Sequence, residues 1–284
     1  MRSPLMPPIG FGPGSQPDPE DGAELNYLQM PSSMASFEPR IPWGADQGAL
    51  EAGLPFLRQL RDMAHGWQKG ETANLDIDRI APAGRSLVDE TLGEGEVSIV
   101  IDSTPRIEIQ ESVFAGIWRV RRRNGEGEIV ADRVEVATVP AAVLARTFPR
   151  NSGGRRVDAA LFGPGVVNAS SILTEIAFEC ETRAPDADAH IINLTLLPHT
   201  PEDLHCIETV LGDGPTRILS RGYGNCRIDA TAWPRVWRVR YYNSMDTLIL
   251  DTIEVVAVPL VALAAEEDIR DSATRFDEVL EALA

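Results

Sequence analysis

No apolar run in this 284-residue chain approaches the roughly 20 residues needed to cross a bilayer, which excludes a helical membrane span. The opening MRSPLMPPIGFGPGSQP has one arginine, no sustained apolar stretch and too much proline for an export leader, so the expected location is cytoplasmic. Positive charge is also short: 26 Lys and Arg stand against 43 Asp and Glu, a net charge of -17. Such a surface repels phosphate backbones and excludes nucleic acid as a partner. Cysteine is scarce, with Cys180, Cys206 and Cys226 too few and too unevenly placed for a disulfide framework, and reduced thiols are expected. The four histidines, His65, His190, His199 and His205, belong to no recognisable motif. A Gly-rich phosphate loop, Cys-x-x-Cys, His-Glu-x-x-His and a nucleophile elbow are all missing. His205 and Cys206 are adjacent, but neighbours on a helix diverge by about 100°, which is poor geometry for one metal. No catalytic set, metal or cofactor is expected, and the chain does not read as an enzyme.

A duplication is present instead. Displaced by 119 positions, Trp118-Arg119-Val120-Arg121 falls on Trp237-Arg238-Val239-Arg240, and Asn124 on Asn243. Asp132-Arg133-Val134-Glu135-Val136 falls on Asp251-Thr252-Ile253-Glu254-Val255, and Val139-Pro140 on Val258-Pro259. From Asn74/Asn193 to Ala145/Ala264, with no gap, roughly 20 of about 70 positions are identical, against about four or five expected by chance.

The predicted organisation is an extended, Pro/Gly-rich segment over 1–47, a first repeat over 48–147, a linker over 148–169, and a second repeat with a terminal helix over 170–284. Residues 1–47 show no period, although Tyr27, Met30 and Phe37 are apolar anchors for a folded domain or a partner. Leu50, Leu54, Leu57, Leu60 and Met63 step as an amphipathic helix, repeated by Ile172, Leu173, Ile176 and Cys180. A second helix follows in each copy. In the second copy Thr200 caps it, Pro201 takes the first position, Asp203 the third, and Gly212 ends it; Pro82 and Gly93 bracket the other.

Four strands then fit each copy, near 216–220, 225–230, 236–242 and 248–256 in the second, with the spacing of a meander. Alternation puts Trp237, Val239 and Tyr241 on a core face, and Arg238, Arg240 and Tyr242 on a face for solvent or a partner, as Trp118/Val120 and Arg119/Arg121 do in the first. Short helices close each unit after Pro140 and Pro259, and Ile269, Ala273, Phe276 and Leu280 mark a terminal helix. The predicted fold class is α+β: two tandem repeats, each a four-stranded antiparallel sheet with helices packed on one face.

The copies differ most where Arg221-Gly222-Tyr223-Gly224-Asn225-Cys226-Arg227 replaces an ordinary strand-turn-strand. Glycines around Tyr223 allow one tight turn to present an aromatic, an amide and a guanidinium, with Tyr242 and Asn243 ending a neighbouring strand. These nine residues are the candidate partner-binding site. Two readings of Cys226 stay open: a small core hydrophobe in the place of Ile107, or a working thiol.

The phrase Ile192-Asn193-Leu194-Thr195-Leu196-Leu197-Pro198, the LSRGYGNCRI and WRVRYYNSMDTLILDTIEVV blocks, and the LQMPSSMASFEPRIP stretch resemble the HupH/HyaF/HoxQ family of [NiFe]-hydrogenase expression proteins over nearly the whole chain. That resemblance implies a cytoplasmic accessory chaperone that binds the iron-sulfur small-subunit precursor before export, beside a thioredoxin-like partner chaperone. Two other readings remain: a thiol-dependent iron-sulfur cluster carrier or enzyme using Cys226 with Cys206 or Cys180, and a scaffold for several maturation proteins.

Overall fold

The computed structural model describes residues 46–148, 157, 162–222 and 224–283, so nearly all of the predicted extended segment 1–47, together with Tyr223, lies outside the described residues. Among these residues ten strands form one antiparallel sheet. The first half supplies β1 (Ala73–Asp76), β2 (Val97–Ile101), β3 (Arg106–Glu111), β4 (Ile117–Arg123) and β5 (Ile129–Val136). The second supplies β6 (His190–Asn193), β7 (Asp213–Ser220), β8 (Asn225–Thr231), β9 (Val236–Tyr242) and β10 (Leu248–Val255). Their order is β1-β5-β4-β3-β2-β7-β8-β9-β10-β6.

The halves meet where β2 pairs β7, with Ile99 opposite Ile218. Those two isoleucines are also equivalent under the 119 displacement. The seam therefore lies on a pseudo-twofold axis running through the sheet.

Each half carries one strand more than the four expected. β1 and β6 sit at the two outer ends of the sheet and have four residues apiece, too short for alternation to reveal. They also correct the ungapped repeat. Leu75 faces Val134 and Ile192 faces Ile253, so the equivalent strand residues are 117 apart and Asn74 does not match Asn193. The second copy has two extra residues before Pro201, after which the displacement of 119 holds.

Among the described residues six α-helices accompany the sheet: α1 (Gln47–Gly66), α2 (Pro82–Leu92), α3 (Ala141–Arg146), α4 (Ala169–Thr182), α5 (Pro201–Leu211) and α6 (Glu266–Leu283). On one sheet face α4 and α5 bury Ile172, Leu173, Ile176 and Ile207 against Ile253, Val255 and Ile192. By the register, Arg238 and Arg240 share that face, and α2 reaches the matching Arg119 through Asp89. The opposite face carries the fully buried Trp118 and Trp237. It is closed by the segments that follow β5 and β10. Phe148, just after α3, packs edge-on against Trp237 of the other half at 5.2 Å, and the Thr147 and Thr216 hydroxyls meet at 2.8 Å. α6 packs on α1 and sets Phe276 against Phe114 at 4.5 Å, so the terminal helix of the second copy shields the first.

The caps read in the sequence are present. Thr200 and Asp203 form a capping box at α5 with Pro201 in the first turn. Asp203 does more than cap: its Oδ1 accepts the backbone N–H groups of Val167, Asn168 and Ala169 at 2.7–2.9 Å, and Oδ2 that of Thr200 at 2.9 Å. One carboxylate thus holds the start of two helices. Gly84 takes its place in the first half, where a Cβ would come within 2.7 Å of the Ala52 backbone. There α1 simply continues past the position at which α4 begins.

Burial opposes ionisation of Asp203, yet its four backbone donors outweigh that and hold the carboxyl below the ordinary range. A lowered folded-state pKa contributes stability that is complete above the unfolded value and is lost as pH falls through the folded one. Asp203→Asn is expected to cost about 3 kcal/mol at neutral pH, since an amide has one acceptor oxygen for this cluster. Denaturant melts across the acid range should show the loss shrinking as pH drops; a constant loss would exclude the charge as its cause.

Candidate functional site

The turn between β7 and β8 divides the predicted site into surface, core and turn. Arg221 is exposed, and its N–H donates to the Glu96 carbonyl at 3.1 Å. Gly222 lies against the Glu96 carboxylate, which a Cβ there would displace, and Gly224 has φ +93°, a backbone conformation that favours glycine. Asn225 opens β8 opposite Tyr242 and is exposed. The Arg227 guanidinium stacks over the Tyr242 ring at 4.6 Å and reaches Asp246 at 3.4 Å.

Two of the nine residues point elsewhere. Asn243 spends its side-chain oxygen on the N–H groups of Met245 and Thr247, shaping the β9–β10 turn as Asn124 shapes its counterpart. Cys226 faces inward, 1 % exposed, and shares a hydrogen bond with Tyr241. Burial pushes its thiol up to about 11, and Tyr241 to about 12. Cys180 is likewise pushed up by burial to about 11, and Cys206 rises for the same reason. Thiols held protonated this way are poor nucleophiles and poor cluster ligands, and the core reading of Cys226 accounts for all its contacts. Among the described residues no three His, Cys, Asp or Glu side chains gather as metal ligands. No helix among them is long and apolar enough to cross a membrane.

The arginine face holds what the sequence pattern did not locate, a pair of matching clefts. One, of about 470 Å³, lies between the end of α2 and the sheet, lined by Asp89, Glu94, Arg119 and Arg121. The other, of about 460 Å³, lies beside α5 and is lined by the equivalents Glu208, Asp213, Arg238 and Arg240. In each, one arginine ties helix to sheet. Arg119 binds Asp132 in a fork at 2.7 and 3.0 Å and also meets Asp89; Arg238 does the same with Asp251 and Glu208. The second arginines, Arg121 and Arg240, bury an Nε without a hydrogen-bond partner among the described residues. The signal for the clefts was the repetition of acid, Gly and Arg at one displacement.

A buried acid lies on β3 near Glu96. Glu111, 7 % exposed, accepts the Gly116 N–H at 3.2 Å. Burial, with Glu96 nearby, pushes its carboxyl up to about 7 against the pull of the Gly116 bond.

The family model described as "HupH hydrogenase expression protein, C-terminal conserved region" matches residues 50–161 and 166–283, one match for each half. The chain belongs to the HupH family. Similar relatives are the hydrogenase expression/formation protein HupH of Rhodobacter capsulatus, 47 % identical over 98 % of both chains, and HupQ of Azotobacter chroococcum, 43 % identical over 98 % of both. HoxQ of Azotobacter vinelandii is 41 % identical over 99 % of this chain and 98 % of its own. The two HupH matches bracket the strand seam, and the β7–β8 turn with its Arg227–Tyr242 stack falls inside the second.

Two outcomes are expected of this chain. Cys226 should resist iodoacetamide in the folded protein and react on unfolding, and Cys226→Ala should cost about 1 kcal/mol with the fold kept; rapid native alkylation would reopen the thiol reading. A raised carboxyl pKa removes stability as pH climbs from the unfolded value through the folded one. Glu111→Gln should therefore stabilise the fold by about 2–3 kcal/mol near pH 8 and change little near pH 4, as thermal melts at the two pH values would reveal.

Proposed function

We propose that this chain is a non-enzymatic accessory chaperone of [NiFe]-hydrogenase maturation that binds the iron-sulfur small-subunit precursor in the cytoplasm, before cluster completion and export. The observation that carries the reading is the near full-length similarity to relatives named hydrogenase expression/formation proteins. The site chemistry agrees with binding. The turn offers Arg221, Asn225 and Arg227 as exposed polar contacts beside the half-buried Tyr242 at the end of β9, while the thiols are buried or pushed toward the protonated form. A precursor that still carries a basic export leader would also meet a favourable field from a chain of charge -17. Such steering acts on the association rate and is screened beyond about 8 Å at physiological salt. A thioredoxin-like chaperone is a further partner on this reading.

Binding of purified precursor to the immobilised protein tests it. Wild type should bind saturably, salt should slow association more than it speeds dissociation, and Arg227→Ala/Tyr242→Ala should speed dissociation on the order of tenfold. No binding by wild type overturns the client; equal binding by wild type and the double variant moves the contact away from this turn.

A further inference from the structure

The two halves can be compared position by position at their outer ends. The buried positions of α1, Gly53, Phe56, Leu57 and Leu60, recur in α4 as Ala169, Ile172, Leu173 and Ile176, a displacement of 116, and β1 and β6 correspond at 117. On this alignment the first half exposes Glu51, Asp62, Asn74 and Arg79. The second half exposes Val167 (67 %), Phe178 (60 %), Ile191 (56 %) and Leu196 (79 %) in the same four places. The fold tolerates polar residues at every one of them, so packing does not explain the apolar set. Exposed apolar groups concentrated at one end of a molecule mark a contact surface.

The geometry there is that of an edge. β6 is the last strand of the sheet, and among the described residues no strand lies on its outer side. Register places Ile191 on the face of Glu254, and His190 on the other face under α4, where Glu175 and Glu179 hold it at 2.7 and 3.8 Å. Phe178, three residues after Glu175 and one before Glu179, stands exposed on the outward side of α4 above that face. A strand added to β6 would alternate its side chains between the Phe178 side and the Ile191 side. The charge around this edge is predominantly acidic, since Arg183 is tied to Glu179 at 2.7 Å and Arg235 is turned in on the Cys180 and Arg183 carbonyls. Exposed Glu181, Asp186 and Asp188 line the connection from α4 to β6, where the first half has Lys69 and Glu71. In a chain of charge -17 this rim disfavours a second copy and favours a basic partner.

We infer that the outer edge of β6, with Phe178 and Ile191 on its two sides, is a docking edge for an extended polypeptide segment bearing apolar and basic side chains. The inference does not rest on the client proposed above, nor on the β7–β8 turn.

Fluorescence anisotropy with a short labelled peptide of alternating valine and arginine tests it, with a valine–glutamate peptide as control. The arginine peptide should bind saturably and the glutamate peptide should not. Phe178→Asp/Ile191→Asn, which installs the first half's residues, should weaken binding on the order of tenfold or more. Arg227→Ala/Tyr242→Ala should bind it as wild type does. Equal binding by wild type and the Phe178/Ile191 variant would overturn the inference, reducing the attraction to general acidity. A wild-type dimer by light scattering that dissociates in that variant would overturn the stated occupant. Hydrogen exchange of wild type gives a reading independent of any variant's folding: the peptide should slow exchange over residues 190–193, and unchanged exchange there overturns the docking edge.

Discussion

The antiparallel pairing of β2 with β7 is the contact on which the rest of the molecule depends. With Ile99 against Ile218 it joins two equivalent edges, so neither half presents an open strand at the centre, where unpaired backbone groups would invite aggregation. Because the axis runs through the sheet, both helical layers fall on the same face. The other face is then left to the segments that follow β5 and β10. Phe148 reaches Trp237 from the first half, and Ala264 from the second donates its N–H to the Thr138 carbonyl at 2.9 Å. The halves are held by a strand ladder and by exchanged arms, and parting them would expose both.

Equivalent positions show how one frame accepts different chemistry. Gly84 lets two helices touch where Asp203 caps two helix starts. Glu135 is buried with Arg133 at 2.6 Å and accepts the Ala141 N–H. Its equivalent Glu254 faces Thr252 instead of an arginine, and burial pushes its carboxyl up with only the Thr252 hydroxyl to oppose it. Glu111 is matched by Ala230. A buried carboxylate costs stability unless it is paired, so the copies have drifted apart in electrostatics while keeping their packing.

Much of this was legible in the residues. Thr200, Pro201 and Asp203 announced α5 because capping is local, and the Trp/Arg alternation announced both faces of β4 and β9 because strand periodicity is local too. β1 and β6 escaped since four residues hold too little alternation, and the register there was misread because two inserted residues leave a coincidental Asn74/Asn193 match. The seam could not be read at all: which edges pair is a long-range choice that no period records. At the candidate site, glycine chemistry located the turn, but Cys226 and Asn243 were placed with the exposed residues. Their side chains are committed to Tyr241 and to the β9–β10 turn, and contacts of that kind appear only once the strands are paired.

The divergence between the halves also has a direction. α6 belongs by sequence to the second copy, yet it packs on α1 and covers the first, tied there by His65 and Arg61 to Asp277 and by Lys69 to Glu266. The first half is thereby shielded, its outer end carries Glu51, Asp62, Asn74 and Arg79, and its β2–β3 turn has no glycine. The second half keeps a glycine-containing turn beside the stack of Arg227 over Tyr242 on the arginine face of the sheet, and an outer edge with exposed apolar groups nearby. Both departures from the shared pattern add accessible, recognisable surface, and both fall on the same copy. A duplication that fused two equal halves through β2 and β7 left one free to serve as the support, which is the condition under which the other can vary its exposed residues without unfolding the sheet they stand on.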